Sequence, residues 1–217
     1  MDNISNKFES GFKIDTSFAD NEPPKREKLD LKKELVEWLG VVASALIIVV
    51  VLFGFVFRVA IISGDSMKNT LINGDVVVIS NFNYTPKQGD IVVVSRNVEN
   101  STESMREENG PIIKRVIATE FQIVDIDFET GTVYVDNMPL DEPYISTPTL
   151  DKYDVEFPLT VPEGCIFVLG DNRDVSLDSR SSRIGDGGMI DTRYVLGRAV
   201  YRVFPFDKMG GFAVDER

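Results

Sequence analysis

The sequence predicts a mostly β protein, built of antiparallel sheets, with one transmembrane helix at its N-terminal end. Three observations predict it. The stretch from Leu39 to Phe57 (LGVVASALIIVVVLFGFVF) has no charge and one hydroxyl. After Arg58, short β-branched runs alternate with turn residues: DVVVI, DIVVV, IIKRVIA, TVYVD and CIFVLG. About 160 residues follow the apolar run, enough for one compact domain with a core of its own.

Taken in order, residues 1–34 form a cytoplasmic tail. Its first 24 residues mix polar and acidic side chains with two prolines and read as disordered. Residues 25–38 read as helix running into the span, assigned to residues 35–58. At 1.5 Å per helical residue the apolar run reaches about 28 Å, close to the hydrocarbon thickness of a bilayer. Being apolar on every face, it does not suit the core of a small soluble domain. No small-x-small pattern stands at its end, where VFRVAIIS follows, so a cleaved signal is not expected. Lys25, Arg26, Lys28, Lys32 and Lys33 precede the run closely, and only Arg58 and Lys68 follow closely. The positive-inside rule then places the N-terminus in the cytoplasm and residues 59–217 outside.

Within residues 59–217, Gly74-Asp75 and Gly89-Asp90 each suit a tight turn before a β-branched strand. YVLGRAVYRVF is β-rich without a clear assignment. Residues 97–110 read as a polar surface loop. Residues 137–164 carry five prolines and read as an irregular excursion.

Composition excludes several chemistries. The chain has 23 Lys+Arg against 35 Asp+Glu, a formal net charge of −12, which argues against nucleic acid as a partner. Cys165 is the one cysteine, so no intrachain disulfide and no cysteine cluster for a metal are expected. It reads as a small buried hydrophobe. No cofactor and no metal are expected. There is no histidine at all. That removes the Ser-His-Asp triad and the HExxH metalloproteases together.

A serine nucleophile could still use a lysine base. The Ser-x-x-Lys arrangement occurs only at Ser10–Lys13, in the polar tail, without its companion motifs. A serine and a lysine far apart in sequence remain. At its ordinary value a lysine is neutral about once in 250 at pH 8, and making half of it neutral requires about 3.3 kcal/mol. Burial among apolar groups can supply that. Lys114 lies in IIKRVIA, and on a strand it shares a face with Ile112, Val116 and Ala118. The same segment also suits a lysine whose stem covers the core while its amine snorkels into water. Arg115 points to the opposite face and reads as structural.

Two further segments stand out. Ser63-Gly64-Asp65-Ser66-Met67-Lys68-Asn69-Thr70-Leu71 follows the span, with Ser66 nine residues past Phe57. Gly170–Arg180, GDNRDVSLDSR, follows a short apolar strand. By itself the second also suits a polar turn laced with ion pairs.

With these motifs in place, the chain resembles the type I signal peptidases, membrane-bound Ser/Lys proteases that remove signal peptides from exported proteins. The matching elements are Gly64-Asp65-Ser66-Met67 with Thr70-Leu71, Ile113-Lys114-Arg115, and Gly170–Arg180. The resemblance implies a signal-peptidase-like β domain with Ser66 as nucleophile and Lys114 as its base. It implies that Ser176 hydrogen-bonds the lysine amine, that Asp178 and Arg180 form a supporting ion pair, and that Asp171 and Arg173 hold the same loop. The Ser66 amide would donate to the oxyanion. Some relatives place a second oxyanion hydroxyl where Gly64 stands, and Gly64 supplies none. Asn69 stands where proline is usual, which is expected to loosen the turn.

The implied substrates are signal-peptide-bearing pre-proteins with small residues, often alanine, at the first and third positions before the cut. The other partner is the lipid bilayer. The peptide is expected to lie extended beside the strands near Ser66 and Lys114. Ile62, Met67, Leu71, Ile112 and Ile113 are candidates for shallow pockets, each of which also suits plain core packing. Three alternatives stand beside this one: a non-cleaving membrane-anchored peptide-binding domain, a Ser/Lys self-cleaving regulator, and a processing peptidase dedicated to a few surface proteins.

Overall fold

The structure is a computed structural model and describes residues 31–95 and 110–212. The tail expected to be disordered and nearly all of the loop expected at 97–110 lie outside the described residues.

The chain falls into two units, Met1–Leu46 and Ile47–Arg217. Helix α1 spans Leu31–Val51, with Glu34 in its first turn, and none of its residues is buried. A wider helical turn, Leu52–Val56, ends it. Helical conformation from Leu31 to Gly54 is long and apolar enough to cross a membrane. Phe57 and Arg58, assigned from sequence to the span, already belong to strand β1. A continuous apolar run does not reveal where the helix gives way to a strand.

The second unit is antiparallel β. The larger sheet has the order β1-β2-β11-β3-β4-β9-β10, with β12 added to β11. Its strands are β1 (Phe57–Ile61), β2 (Val76–Ser80), β3 (Ile91–Val94), β4 (Ile112–Thr119), β9 (Cys165–Leu169), β10 (Ile190–Asp191), β11 (Val195–Phe204) and β12 (Gly210–Gly211). The smaller sheet has the order β7-β6-β5-β8, from β5 (Ile123–Asp127), β6 (Thr132–Val135), β7 (Met138–Pro139) and β8 (Leu159–Thr160). β-Branched residues dominate these strands, as a pleated, half-buried surface favours. The run left unassigned in the sequence is β11, the longest strand, and it lies between β2 and β3.

Both Gly-Asp pairs make the turns expected of them. Gly74 and Gly89 take positive φ, 91° and 88°, which glycine adopts without steric cost. The aspartates are buried and meet arginines of β11. Asp75 Oδ2 accepts from Arg202 at 2.9 Å, and Asp90 Oδ1 accepts from Arg198 at 3.3 Å.

One core cluster joins the two sheets, with Ile117, Ala118 and Phe167 of the larger packed on Val124, Ile126 and Val133 of the smaller. On β4 the strict alternation fails. Val116 pairs with Val168 but Ala118 pairs with Phe167, so Ile117 is an extra residue on its strand. This bulge flips the alternation. Val116 therefore packs in a different cluster from Ala118, contrary to the shared face expected from sequence.

Candidate active site

Three segments converge. The first is the turn at 62–75, closed at its neck by Ile62 N–H to the Asp75 carbonyl (2.8 Å) and Gly74 N–H to the Ile62 carbonyl (2.9 Å). Arg202 of β11 ties the turn's middle, donating to the Thr70 carbonyl at 2.9 Å. The second is the start of β4. The third is the loop after β9. β4 pairs with β9 so that Arg115 lies opposite Leu169. The residues just before Arg115 and just after Leu169 are thereby brought together.

Lys114 Nζ donates to Ser66 Oγ at 2.8 Å and to the Ile113 carbonyl at 2.9 Å. Lys114 is only 3% exposed, while Ser66 is half-buried. A partly exposed hydroxyl thus touches an amine shielded from water. Taking an ammonium out of water penalises its charged form. The Ser66 N–H has no acceptor among the described residues. The Gly64 N–H does have one, donating to Asn73 Oδ1 at 3.2 Å.

The loop Gly170–Arg180 is a buried ion-pair lattice. Arg115 grips Asp171 with two bonds, Nε to Oδ1 at 2.8 Å and Nη2 to Oδ2 at 2.6 Å. Thr70 Oγ1 donates to the same carboxylate at 2.5 Å. Arg173 donates to the Gly170 carbonyl at 2.9 Å and to Thr149 Oγ1, and pairs with Glu142 at 2.6 Å. Arg180 Nε donates to Asp178 Oδ1 at 2.9 Å, both side chains fully buried. Asn172 binds the turn at 62–75 directly, N–H to the Ser66 carbonyl at 3.0 Å and Nδ2 to the Asp65 carbonyl at 3.1 Å.

The sequence reading needs correction at Ser176. Ser176 does not hydrogen-bond the lysine amine. Its Oγ is buried without a hydrogen-bond partner among the described residues. It packs on Gly170, where a Cβ would collide with the Ser176 side chain and come within 2.5 Å of the Ser66 carbonyl oxygen. Asn69 lies in the turn at 62–75. It takes φ 90°, a left-handed conformation that asparagine tolerates and proline, locked near −65°, cannot adopt. Ile62, Met67, Leu71 and Ile113 are buried together in one core cluster, leaving only Ile112 partly exposed. The burial of the first four fits core packing, the other reading that the sequence allowed. Asp171 and Arg173 each meet a counter-ion from outside the loop, Arg115 and Glu142.

Sequence reasoning missed Arg115 as the partner of Asp171, and it missed Glu142, Tyr144 and Thr149 in the excursion. The Lys114-Arg115 pairing was one available signal. A strand alternates sides, so two consecutive buried cations must each find a partner. Tyr144 lies with its ring 3.9 Å from the Arg115 guanidinium, and burial raises its hydroxyl well above the ordinary tyrosine value.

The sequence pattern of the family described as signal peptidase, peptidase S26, matches residues 35–204. A signal peptidase I of Bacillus licheniformis is 30% identical over 188 residues, covering 82% of this chain and 93% of that protein. A signal peptidase IB of Staphylococcus aureus is 30% identical over 196 residues, covering 82% of this chain and 94% of that protein. A solved signal peptidase I of Enterococcus faecalis is 27% identical with a TM-score of 0.39, covering 54% of this chain and 98% of that chain.

Proposed function

Because the chain belongs to the signal peptidase family, peptidase S26, we propose that it cleaves signal peptides from pre-proteins at the outer face of the membrane, with Ser66 as nucleophile and uncharged Lys114 as general base. Family membership supports a serine endopeptidase acting on signal peptides, and the apolar helix fits a membrane-anchored protein. The observation that carries the finer reading is the 2.8 Å contact between Lys114 Nζ and Ser66 Oγ, made by an amine sealed from solvent.

The reaction is acyl transfer. The Ser66 hydroxyl proton passes to neutral Lys114 Nζ as Oγ bonds to the scissile carbonyl carbon. The carbon–nitrogen bond then breaks, and the leaving amine takes the proton back from Nζ. Water attacks the ester, giving one proton to Nζ, and Ser66 Oγ recovers it as the acid product leaves. The Ser66 N–H, which has no acceptor among the described residues, supports oxyanion stabilisation, which is worth about 10² to 10³ in rate for a typical donor. The Gly64 N–H is occupied by Asn73 and does not serve as the second donor.

A single pass, N-terminus inside, is supported by the cations Lys25, Arg26, Lys28, Lys32 and Lys33 ahead of the span. The outer face of β1-β2-β11 supports contact with lipid. Val59 lies in register with Val78 and Tyr201, and Ile61 with Val76 and Phe204, and Val59, Ile61, Tyr201 and Phe204 are exposed.

The test is incubation of the purified protein, beside Ser66→Ala, with a pre-protein bearing an Ala-x-Ala site. One cut after the second alanine is expected from the native protein and none from the variant. Equal cleavage by both would remove Ser66 from the mechanism.

A further inference from the structure

The segment between β7 and β8, residues 140–158, has no regular structure and looks in sequence like surface filler. Its contacts say otherwise. It crosses the Gly170–Arg180 loop at several points. Ser146 N–H donates to the Asp171 carbonyl at 3.1 Å, and Val155 N–H donates to the Arg180 carbonyl at 3.1 Å. Tyr153 donates its hydroxyl to the Ser176 carbonyl at 3.2 Å.

The tightest of these crossings centres on one carboxylate. Glu142 Oε1 accepts from Arg173 Nη2 at 2.6 Å and from the Tyr144 hydroxyl at 3.0 Å, and Oε2 accepts from Arg173 Nη1 at 3.2 Å. Both ions are nearly sealed, with side chains 1% and 6% exposed. Arg173 meets no other carboxylate among the described residues. Glu142 therefore holds the guanidinium that holds the Gly170 carbonyl. The Gly170 Cα abuts the Ser66 carbonyl, and Asn172 is bonded to that same carbonyl. Through Tyr144, whose ring stacks on Arg115, the same carboxylate reaches the residue next to Lys114.

We propose that Glu142 is a positioning residue for the Ser66–Lys114 pair, with Tyr144 as its partner, acting through Arg173 and Arg115. This deepens the reading given under Proposed function and rests on it. Glu142 touches no reacting atom. Its role is to keep the loop pressed against the nucleophile's turn, so it governs the rate of a bound substrate and not its binding. Displacement of a reacting group by about 1 Å can reduce a rate about 10²-fold.

The full chain is assayed in detergent with a peptide bearing an Ala-x-Ala site, as native protein, Glu142→Gln, Glu142→Asp, Tyr144→Phe and Ser66→Ala. Amide exchange of the peptide covering residues 170–174 is followed alongside. Glu142→Gln should lower kcat about 10²-fold with KM unchanged, and should speed exchange at Asn172. Glu142→Asp, which restores the charge, should recover part of kcat. Tyr144→Phe removes only the hydroxyl bond to Glu142 and should give a smaller loss of kcat. If Glu142→Gln does not fold, Glu142→Asp and Tyr144→Phe carry the same comparison. Native kcat and native exchange in the variants overturn the inference, as does a raised KM with kcat unchanged. If native protein cleaves no faster than Ser66→Ala, the Ser/Lys reading fails and exchange alone decides this inference: acceleration supports the clamp and unchanged protection overturns it.

Discussion

The backbone N–H of Asn172 donates to the carbonyl of Ser66 at 3.0 Å. The loop after β9 thus binds Ser66 itself, while Arg115, next to Lys114, binds Asp171 of that loop. Ser66 and Lys114 are both tied to one loop, although 48 residues separate them in the chain.

Replacing Lys114 by alanine or arginine should reduce processing by at least about 10²-fold, the range expected for loss of a positioned general base. Circular dichroism should report an unchanged fold. Arginine is informative because it keeps the cation and cannot lose its proton at any assay pH. Native activity in either variant would end the assignment of Lys114 as base.

The cleavage rate should rise with pH. Only neutral Lys114 accepts the Ser66 proton, and the neutral fraction grows as pH increases, by about tenfold per unit while most of the amine is charged. Burial pushes the Tyr84 and Tyr144 hydroxyls and the Cys165 thiol above their ordinary values, so each stays protonated further into the alkaline range. A rate that is flat from pH 6 to 9 with chemistry rate-limiting would contradict the proposed base.

Gly170→Ala should impair both stability and processing. The added methyl would meet the Ser176 side chain and the Ser66 carbonyl oxygen, which lie in the space it needs. Overpacking of this kind costs about 1–3 kcal/mol, and here one of the crowded atoms is the Ser66 carbonyl oxygen. Gly210→Ala, where an added methyl meets nothing within 4 Å, should leave both unchanged. Chemical denaturation and the peptide assay check both variants, and a fully stable, fully active Gly170→Ala would show that the close approach has no consequence.

Asn69→Pro should lower stability by more than about 1 kcal/mol, because the ring cannot reach the positive φ this residue adopts. Asn69→Gly should be tolerated, since glycine takes that φ without steric cost. Denaturation midpoints for the pair decide the matter, and a proline variant as stable as the native protein would mean that the turn has another accessible conformation.

Much of the architecture was legible locally. The apolar run declared its helix by composition alone. The Gly-Asp pairs marked their turns because positive φ and a short acceptor are needed there. Other elements were legible and overlooked. In β5 the pattern Val124-Asp125-Ile126-Asp127 alternates buried with half-buried residues, the period-two signature of a strand with one face inward. The bulge at Ile117 left no local mark, because it exists only relative to the partner strand β9.

The sequence by itself determined the site's ingredients: no imidazole anywhere, a serine shortly after a membrane-length helix, a lysine among aliphatics, and a loop dense in charge after a core strand. Tertiary structure alone decided who meets whom. That Arg115 takes Asp171, that Arg173 reaches out to Glu142, and that the Ser176 hydroxyl finds no partner among the described residues depend on the register of β4 against β9 and on the path of residues 140–158. The physical reason is that a buried ion needs a counter-ion within a few ångströms. The position of that counter-ion is set by strand pairings between residues distant in sequence, which no local pattern encodes.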